Sequence, residues 1–80
     1  MEIKILAFGI ARDILGGADL KLSGPENLTV GQLLELLKER YPAFGELTSL
    51  AIAVNAEYAD EGQLITAHDE VVIIPPVAGG

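Results

Sequence analysis

The clearest hydrophobic pattern in the chain lies between Thr29 and Pro42, and it predicts an α-helix. Apolar residues recur there at spacings of three and four, which places them on one side of a helix. They are Val30, Leu33, Leu34, Leu37 and Tyr41. Thr29 is a favourable N-cap, and Gln32 three residues later completes a capping box. Pro42 prevents the helix from continuing.

Shorter apolar runs on both sides of this helix predict β-strands. The runs are residues 3–8, 20–22, 50–54 and 71–74. Asn55 and Ala56 have the character of a turn, which a short strand around Tyr58 would follow. The last run contains four β-branched residues, which favours a strand in a sheet that is covered on both faces. Residues 11–15 could form one helical turn that ends at Gly16.

The order of these elements predicts an α+β fold with a mixed sheet. Two hairpins and one helix bury their apolar sides only if the helix packs across one face of a shared sheet. This is the β-grasp arrangement of ubiquitin, in which the first and last strands are parallel neighbours in the middle of the sheet. Phe8 and Ile74 would then lie at the same end. We expect residues 1–74 to form this domain and residues 75–80 to form an extended tail.

The predicted tail consists of Pro75, Pro76, Val77, Ala78, Gly79 and Gly80. The two prolines stop the last strand because neither can donate a hydrogen bond to a neighbouring strand. Six extended residues span about 20 Å, and a glycine tip fits a slot too narrow for a Cβ atom. The pattern favours insertion into a partner's cleft, with the Gly80 carboxylate at the tip. A frayed chain end and two glycines left by cloning remain alternative interpretations.

Length and composition exclude several classes of protein. Eighty residues make one domain, and the absence of cysteine excludes disulfides and thiolate metal sites. A net charge of −7 argues against nucleic acid as a partner. No charged segment followed by an apolar run opens the sequence, and no apolar run approaches the ~20 residues of a membrane helix. We expect a soluble, cytoplasmic protein without a membrane partner.

The acidic residues are distributed unevenly along the sequence. Every Lys and Arg lies at or before Arg40, whereas acidic residues continue to Glu70. The half of the sequence that carries the tail is therefore acidic. Two interpretations remain open, namely solubility and electrostatic steering onto a basic partner.

The side chains predict no independent active site. His68 is the only histidine and lies in a predicted turn, so a catalytic triad or zinc site cannot be assembled conventionally. Glu57, Asp60 and Glu61 have the pattern of a solvated loop. The Gly80 carboxylate is an anion at neutral pH and becomes reactive only as an acyl-adenylate made with ATP. Sulfide would then displace AMP to give a thiocarboxylate, and a lysine amine would give an isopeptide bond.

Motifs along the whole chain resemble the small subunit of molybdopterin synthase. They are residues 3–6 with Phe8 and Arg12-Asp13, Ala53-Val54-Asn55, Asp69-Glu70-Val71 and the final Pro-Pro-Val-Ala-Gly-Gly. The proline–glycine ending is the most specific of them. Ala7 and His68 depart from the family, which commonly has a second aromatic residue and a turn glycine at these positions. These departures affect part of the contact surface and one turn.

This resemblance implies a sulfur carrier that is not an enzyme on its own. An E1-like enzyme would adenylate Gly80, and a sulfurtransferase would supply the sulfur of its thiocarboxylate. The tail would then enter the large synthase subunit, in an expected heterotetramer, and give sulfur to cyclic pyranopterin monophosphate. The catalytic residues would belong to that subunit, and no cofactor or metal would be bound stably. The expected interface residues are Phe8, Arg12, Tyr58 and Ile74.

Three other functions stay open on the sequence alone. A ubiquitin-like modifier would use the same tail to tag lysines, and a sulfur carrier for thiamine synthesis would share the fold and the terminal glycines. A plain interaction module would not need Gly80. Phe8, Tyr58 and Ile74 could also be ordinary core residues rather than a docking surface.

Overall fold

A computed structural model of the chain describes residues 1–47 and 49–76. Five strands, two α-helices and one 3₁₀ helix occur in these ranges. In chain order they are β1 (Glu2–Ala7), α1 (Gly9–Leu15), β2 (Asp19–Ser23), α2 (Val30–Arg40), the 3₁₀ helix (Pro42–Glu46), β3 (Ala51–Val54), β4 (Glu57–Tyr58) and β5 (Val71–Ile74). None of the helices in the described ranges is both long and apolar enough to cross a membrane.

The strands form one mixed sheet in the order β2-β1-β5-β3-β4. β1 pairs antiparallel with β2 and parallel with β5, and β3 pairs antiparallel with both β5 and β4. Ile5 lies opposite Val71 and Ala7 lies opposite Ile73 in the parallel pair. The predicted position of the first and last strands, side by side in the middle of the sheet, is confirmed.

The predicted capping box at the start of α2 is confirmed. The backbone N–H of Gln32 donates to the Thr29 hydroxyl at 3.2 Å, and the Thr29 N–H donates to the Gln32 side-chain oxygen at 2.9 Å. Val30, Leu33 and Leu37 are buried on the packed side of the helix. The helix ends at Arg40, immediately before Tyr41 and Pro42, as the sequence predicts.

The core lies on one face of the sheet, between the strands and α2. Fifteen buried residues form a single cluster: Ile3, Ile5, Ala7, Ala11, Leu22, Leu28, Val30, Leu33, Leu37, Phe44, Ile52, Val54, Ile65, Val71 and Ile73. Strand residues alternate between the two faces of a sheet. Leu6, Val72 and Ile74 therefore belong to the opposite face, and they are only half-buried.

This arrangement corrects the expectation that the last strand is covered on both faces. Val71 and Ile73 are buried, but Val72 and Ile74 are not. A single 11-residue helix covers only one face of the sheet. The β-branched side chains of Val72 and Ile74 therefore form part of an uncovered apolar surface in this chain.

Two local details also differ from the sequence prediction. Phe8 does not belong to β1, since it is the N-cap of α1, and this helix begins at Gly9 rather than at residue 11. Gly16 ends α1 as expected, with a left-handed φ of 80° that favours glycine. Phe44 in the 3₁₀ helix is buried beside Tyr41, with ring centroids 6.1 Å apart. The sequence analysis did not identify Phe44 as a core residue.

Candidate functional site

The uncovered face of the sheet carries a continuous apolar row. Tyr58 on β4 lies opposite Ala53, Ala53 lies opposite Val72, and Val72 lies opposite Leu6. Four neighbouring strands thus contribute one side chain each, at strand spacings of about 4.8 Å. Tyr58 is 76% exposed, whereas the small Ala53 between Tyr58 and Val72 is 7% exposed. The row is a shallow apolar surface bordered by an exposed aromatic ring.

A second group of apolar residues lies at the end of the sheet where the chain leaves β5. Ala7 and Ile73 are the last paired residues of the parallel strands, so Phe8 and Ile74 follow them at the same end. Phe8 is 60% exposed and Ile10 is 47% exposed. Exposed apolar residues that lie together mark interaction sites more often than scattered ones do. The alternative that Phe8 and Tyr58 are core residues is therefore wrong.

Arg12 is brought close to this end of the sheet by α1. It lies four residues after Phe8, so the two positions are neighbours on the helix surface. The Arg12 N–H donates to the Phe8 carbonyl oxygen at 3.4 Å, and the Arg12 side chain is exposed. Of the expected interface residues, Phe8, Arg12 and Ile74 thus cluster at one end of the sheet. Tyr58 lies two strands away from β5, on the same face as Ile74.

We call the apolar row and the adjoining end of the sheet the docking face. It comprises Leu6, Phe8, Ala53, Tyr58, Val72 and Ile74. Arg12 is a polar residue at its margin. Pro75 and Pro76 follow β5 directly and are half-buried. The expected tail residues Val77, Ala78, Gly79 and Gly80 lie outside the described residues.

The fold brings basic residues from the first half of the sequence close to the acidic second half. Lys4 and Lys21 are cross-strand partners on the same sheet face as Leu6. The parallel pairing of β1 with β5 places this basic pair beside the strand that the acidic half of the sequence supplies. Glu57, Asp60 and Glu61 are exposed at and after the opposite edge strand, β4. Asp19 lies opposite Leu6 on this face as well. The β2 margin of the docking face therefore carries charges of both signs, whereas the β4 margin is acidic.

A hydrogen-bond network joins the β3–β4 turn to the start of β5. The side-chain amide of Asn55 donates to Asp69 Oδ1 at 2.9 Å, and Asn55 Oδ1 accepts from the Glu70 N–H at 2.9 Å. The Asn55 N–H also donates to the Glu70 carbonyl oxygen at 2.8 Å. On the other side, Asp69 Oδ2 accepts from the Thr66 N–H at 2.8 Å. Three hydrogen bonds thus hold the turn against the start of β5, and the fourth fixes the Asp69 side chain.

This network also sets the ionisation of Asp69. The hydrogen bond from the Thr66 backbone N–H and, after it, the one from the Asn55 side chain lower the pKa of Asp69 below its ordinary value. Both favour the carboxylate because each donates to a charged oxygen. Asp69 is therefore an acceptor for two donors at neutral pH.

The remaining polar residues do not assemble into a catalytic or metal site in the part of the chain that is described. No cluster of three or more potential ligands occurs there. His68 is exposed in a turn, as expected, and lines a shallow pocket of about 270 Å³ with Lys4 and Leu6. The interpretation of Glu57, Asp60 and Glu61 as solvated residues is confirmed, since all three are exposed.

Leu6, Ile10, Val72 and the Asn55–Asp69 pair were not predicted from the sequence. The alternation of side chains along β1 and β5 was the available signal for Leu6 and Val72. This alternation identifies Leu6 and Val72 as surface residues only if it is known that helix α2 covers one face of the sheet and that the other face is uncovered. Asn55 was recognised as a turn residue, but its partner lies 14 positions away and depends on the pairing of β3 with β5.

Comparison with known proteins agrees with this fold and with the character of the tail sequence. The ThiS family matches residues 5–80. A molybdopterin synthase sulfur carrier subunit of Arabidopsis thaliana is 37% identical, with 100% of this chain and 84% of the relative covered. One from Pyrenophora tritici-repentis is 40% identical, with 99% of this chain and 90% of the relative covered.

Solved structures extend the similarity to three dimensions. A putative molybdopterin converting factor subunit 1 from Pyrococcus furiosus superposes with a TM-score of 0.86 at 27% identity, covering 96% of this chain and 99% of that one. The small archaeal modifier protein 1 of Methanosarcina acetivorans has a TM-score of 0.74 at 28% identity, covering 99% and 96%.

A complex of subunits 1 and 2 of the molybdopterin-converting factor from Helicobacter pylori contains a similar fold. The TM-score is 0.67 at 23% identity, with both chains covered completely. The β-grasp prediction is thus confirmed by the sheet topology and by these neighbours. The chain belongs to the ThiS family, together with the sulfur carrier subunits of molybdopterin synthase.

Proposed function

We propose that this protein is the sulfur carrier subunit of a molybdopterin synthase. It would receive sulfur as a thiocarboxylate on Gly80 and deliver it to cyclic pyranopterin monophosphate in the large subunit. The observation that carries the proposal is the match, over at least 99% of this chain, to relatives named for this role. The sequence also ends in the two glycines that such chemistry requires.

The docking face supports a partner that binds the sheet and the tail together. Phe8 and Ile74 lie where the chain leaves β5, so a protein that covers them also meets residues 75–80. Pro75 and Pro76 restrict the direction of the departing chain because each fixes φ near −65°. A segment of six residues spans at most about 20 Å when it is fully extended. Binding on the docking face and insertion of the tail are then parts of one event.

The reaction at Gly80 needs an activating enzyme. An E1-like partner joins the Gly80 carboxylate to the α-phosphate of ATP and releases pyrophosphate. A sulfurtransferase then delivers sulfur from a persulfide, and a thiol that is oxidised to a disulfide supplies the two electrons that bring this sulfur to the level of sulfide. A carbon–sulfur bond forms, the carbon–oxygen bond to AMP breaks, and AMP leaves with the electron pair. Glycine at this position places no side chain beside the attacked carbonyl carbon.

The large subunit supplies the catalytic residues in this proposal. The carrier presents an anionic sulfur that attacks a carbon of the pterin substrate and displaces an oxygen leaving group. Water then cleaves the acyl carbon–sulfur bond of the resulting thioester, which leaves the sulfur on the pterin and returns Gly80 to a carboxylate. The transferred group is the thiocarboxylate itself, so the carrier needs no resident cofactor or metal. We place this cycle in the cytoplasm. A chain without cysteine needs no disulfide bond and is compatible with this reducing compartment.

A protein modifier is the second candidate function, and one observation favours it. The small archaeal modifier protein 1 of Methanosarcina acetivorans shares the fold at 28% identity. A lysine amine would then displace AMP in place of sulfide and form an isopeptide bond. Conjugates that survive boiling in SDS would identify this function, whereas a sulfur carrier gives none that depend on Gly80.

Terminal variants test the proposed function. Deleting Gly80, or adding one alanine after it, should abolish sulfur transfer in a reaction reconstituted with the large subunit and chemically thiocarboxylated carrier. The thermal unfolding midpoint should not change, because the core lies before residue 75. Replacing Ala78 with glycine is the matched control, since it changes the tail but keeps its length and its tip. Full activity of the extended carrier would refute the proposal.

A further inference from the structure

The β3–β4 hairpin holds the most exposed aromatic ring of the docking face with little support of its own. β4 contains only Glu57 and Tyr58 and pairs only with β3 at the edge of the sheet. The Tyr58 side chain is largely exposed, so few contacts restrain it. An isolated pairing of two residues is weak. After Tyr58, the Ala59 N–H donates to the Ile52 carbonyl oxygen at 3.0 Å, which holds the far end of β4. The other end of β4 is held by the turn that precedes Glu57.

This turn contains a residue in an unfavourable backbone conformation. Asn55 and Ala56 connect Val54 to Glu57, with φ angles of 53° and 70°. Positive φ at both residues is the signature of a type I′ turn, for which Asn-Gly is the preferred pair. Asparagine tolerates this region, whereas alanine adopts it only with strain, because its Cβ atom crowds the backbone. The turn therefore needs support from outside the hairpin.

Asn55 and Asp69 provide that support. Asn55 makes three hydrogen bonds to Asp69 and Glu70, two through its side chain and one through its backbone N–H. Asp69 is held in turn by the Thr66 N–H. β5 is a central strand, so this attachment connects an edge turn to a rigid part of the sheet.

We propose that Asn55 and Asp69 form a clamp that fixes the strained β3–β4 turn and thereby presents Tyr58 to the partner subunit. The clamp residues are positioning residues, since they act through Tyr58 and not by contact with a substrate. This inference rests on the proposed docking function. It goes beyond that function by assigning a role to two polar residues outside the docking face. A pre-organised side chain avoids the ordering cost that binding otherwise imposes.

Side-chain removal at either end of the clamp provides the first test. Asn55→Gly and Asp69→Ala should each weaken binding of the large subunit by about three- to tenfold, the cost of ordering one or two side chains. Glycine is chosen at position 55 because it adds no strain at positive φ. Asn27→Gly is the matched control, since Asn27 also has a positive φ of 62° but lies in the loop before α2. The control should bind as the parent protein does.

Rescue separates positioning from direct contact. Ala56→Gly relieves the strained residue, so in the Asp69→Ala background it should restore binding to within about twofold of the parent value. ¹⁵N relaxation should show the order parameters of residues 56–58 falling from about 0.85 toward 0.6 in Asp69→Ala and recovering in the double variant. If Asp69 instead touches the partner, binding is lost without rescue and the order parameters stay high. That result would overturn the clamp.

Tyr58→Ala in the same binding assay distinguishes the two proposals. If Tyr58→Ala weakens binding while Asn55→Gly and Asp69→Ala do not, the clamp is wrong and the docking face stands. If Tyr58→Ala has no effect on binding, Tyr58 is not a docking residue, and the proposed role of the clamp is refuted as well. We expect weaker binding in all three variants and rescue of Asp69→Ala by Ala56→Gly.

Discussion

Leu6 on β1 and Val72 on β5 lie opposite each other in the parallel pair at the centre of the sheet, on the face that no helix covers. Each is flanked along its strand by buried residues that point to the other face. Their half-buried side chains join Ala53 and Tyr58 in a row across four strands. Apolar surface in this position is available to a partner while the core stays intact.

The docking face can be tested by truncating its two exposed aromatic residues. Phe8→Ala and Tyr58→Ala should each reduce affinity for the large subunit, because aromatic anchors buried in an interface typically contribute about 2 kcal/mol or more. This corresponds to a dissociation constant raised about 30-fold. Isothermal titration calorimetry with the purified large subunit measures it.

Leu64→Ala is the control for this experiment. Leu64 is 54% exposed, but it bridges to Thr29 at the start of α2 and so lies away from the docking face. Its truncation should leave the affinity unchanged. Equal effects of Leu64→Ala and Tyr58→Ala, or no effect of either aromatic substitution, would contradict the assignment of the docking face.

Salt should slow the association of the carrier with the large subunit. Glu57, Asp60 and Glu61 are exposed at and after β4, and a cleft that accepts the anionic tail should be basic. Raising the ionic strength from about 0.01 M to about 0.15 M shortens the Debye length from about 30 Å to about 8 Å. Opposite charges accelerate encounter more than they slow dissociation. Stopped-flow measurements should therefore show a falling association rate and a nearly constant dissociation rate.

Neutralising these acids provides the matched comparison. A variant carrying Glu57→Gln, Asp60→Asn and Glu61→Gln should associate more slowly at low salt and depend less on salt. A flat association rate for the parent protein would mean that the acidic residues serve only solubility.

The contribution of Asp69 to stability should disappear in acid. The pKa of Asp69 is lowered in the folded protein, so its carboxylate stabilises the fold at and above its ordinary pKa of 3.8. This stabilisation is lost as the pH falls from there through the lowered value. At pH 7, Asp69→Ala should reduce the free energy of unfolding by about 1 kcal/mol, the range of a few exposed hydrogen bonds.

Urea unfolding at a series of pH values measures this difference. The gap between the parent protein and Asp69→Ala should be constant at neutral pH and should narrow below about pH 3.8. The two proteins differ only at position 69, so the comparison isolates Asp69. A gap of the same size in acid and at neutral pH would contradict the charge-assisted network.

Local signals account for the parts of the fold that the sequence predicts well. The capping box, the apolar stripe and Pro42 together define α2, since each acts within a few residues. Long-range relationships are different. The four β-branched residues 71–74 are compatible with a sheet that is covered on one face and with a sheet that is covered on both faces. Only the number of helices that pack on the sheet distinguishes these two arrangements. The run predicted a strand covered on both faces, which is wrong at Val72 and Ile74. The separate expectation that Ile74 belongs to the interface remains a prediction.

The candidate site divides in the same way. Phe8, Arg12, Tyr58 and Ile74 were named from strand order and from family resemblance, and the fold brings Phe8, Arg12 and Ile74 together while Tyr58 shares the face. The clamp was not predictable, because the contact between Asn55 and Asp69 follows from the register of two strands. The roles of all these residues in binding remain predictions.

Intact-mass spectrometry tests the central claim most directly. The protein should be purified from cells with an active molybdenum cofactor pathway and compared with protein from cells that lack the adenylating enzyme. Replacement of one carboxylate oxygen by sulfur adds about 16 Da, the difference between the two atomic masses. We predict this increase only in the first sample, localised by fragmentation to Gly80. An unmodified Gly80 in both samples, or Gly80 joined to lysines of other proteins, would contradict the sulfur carrier function.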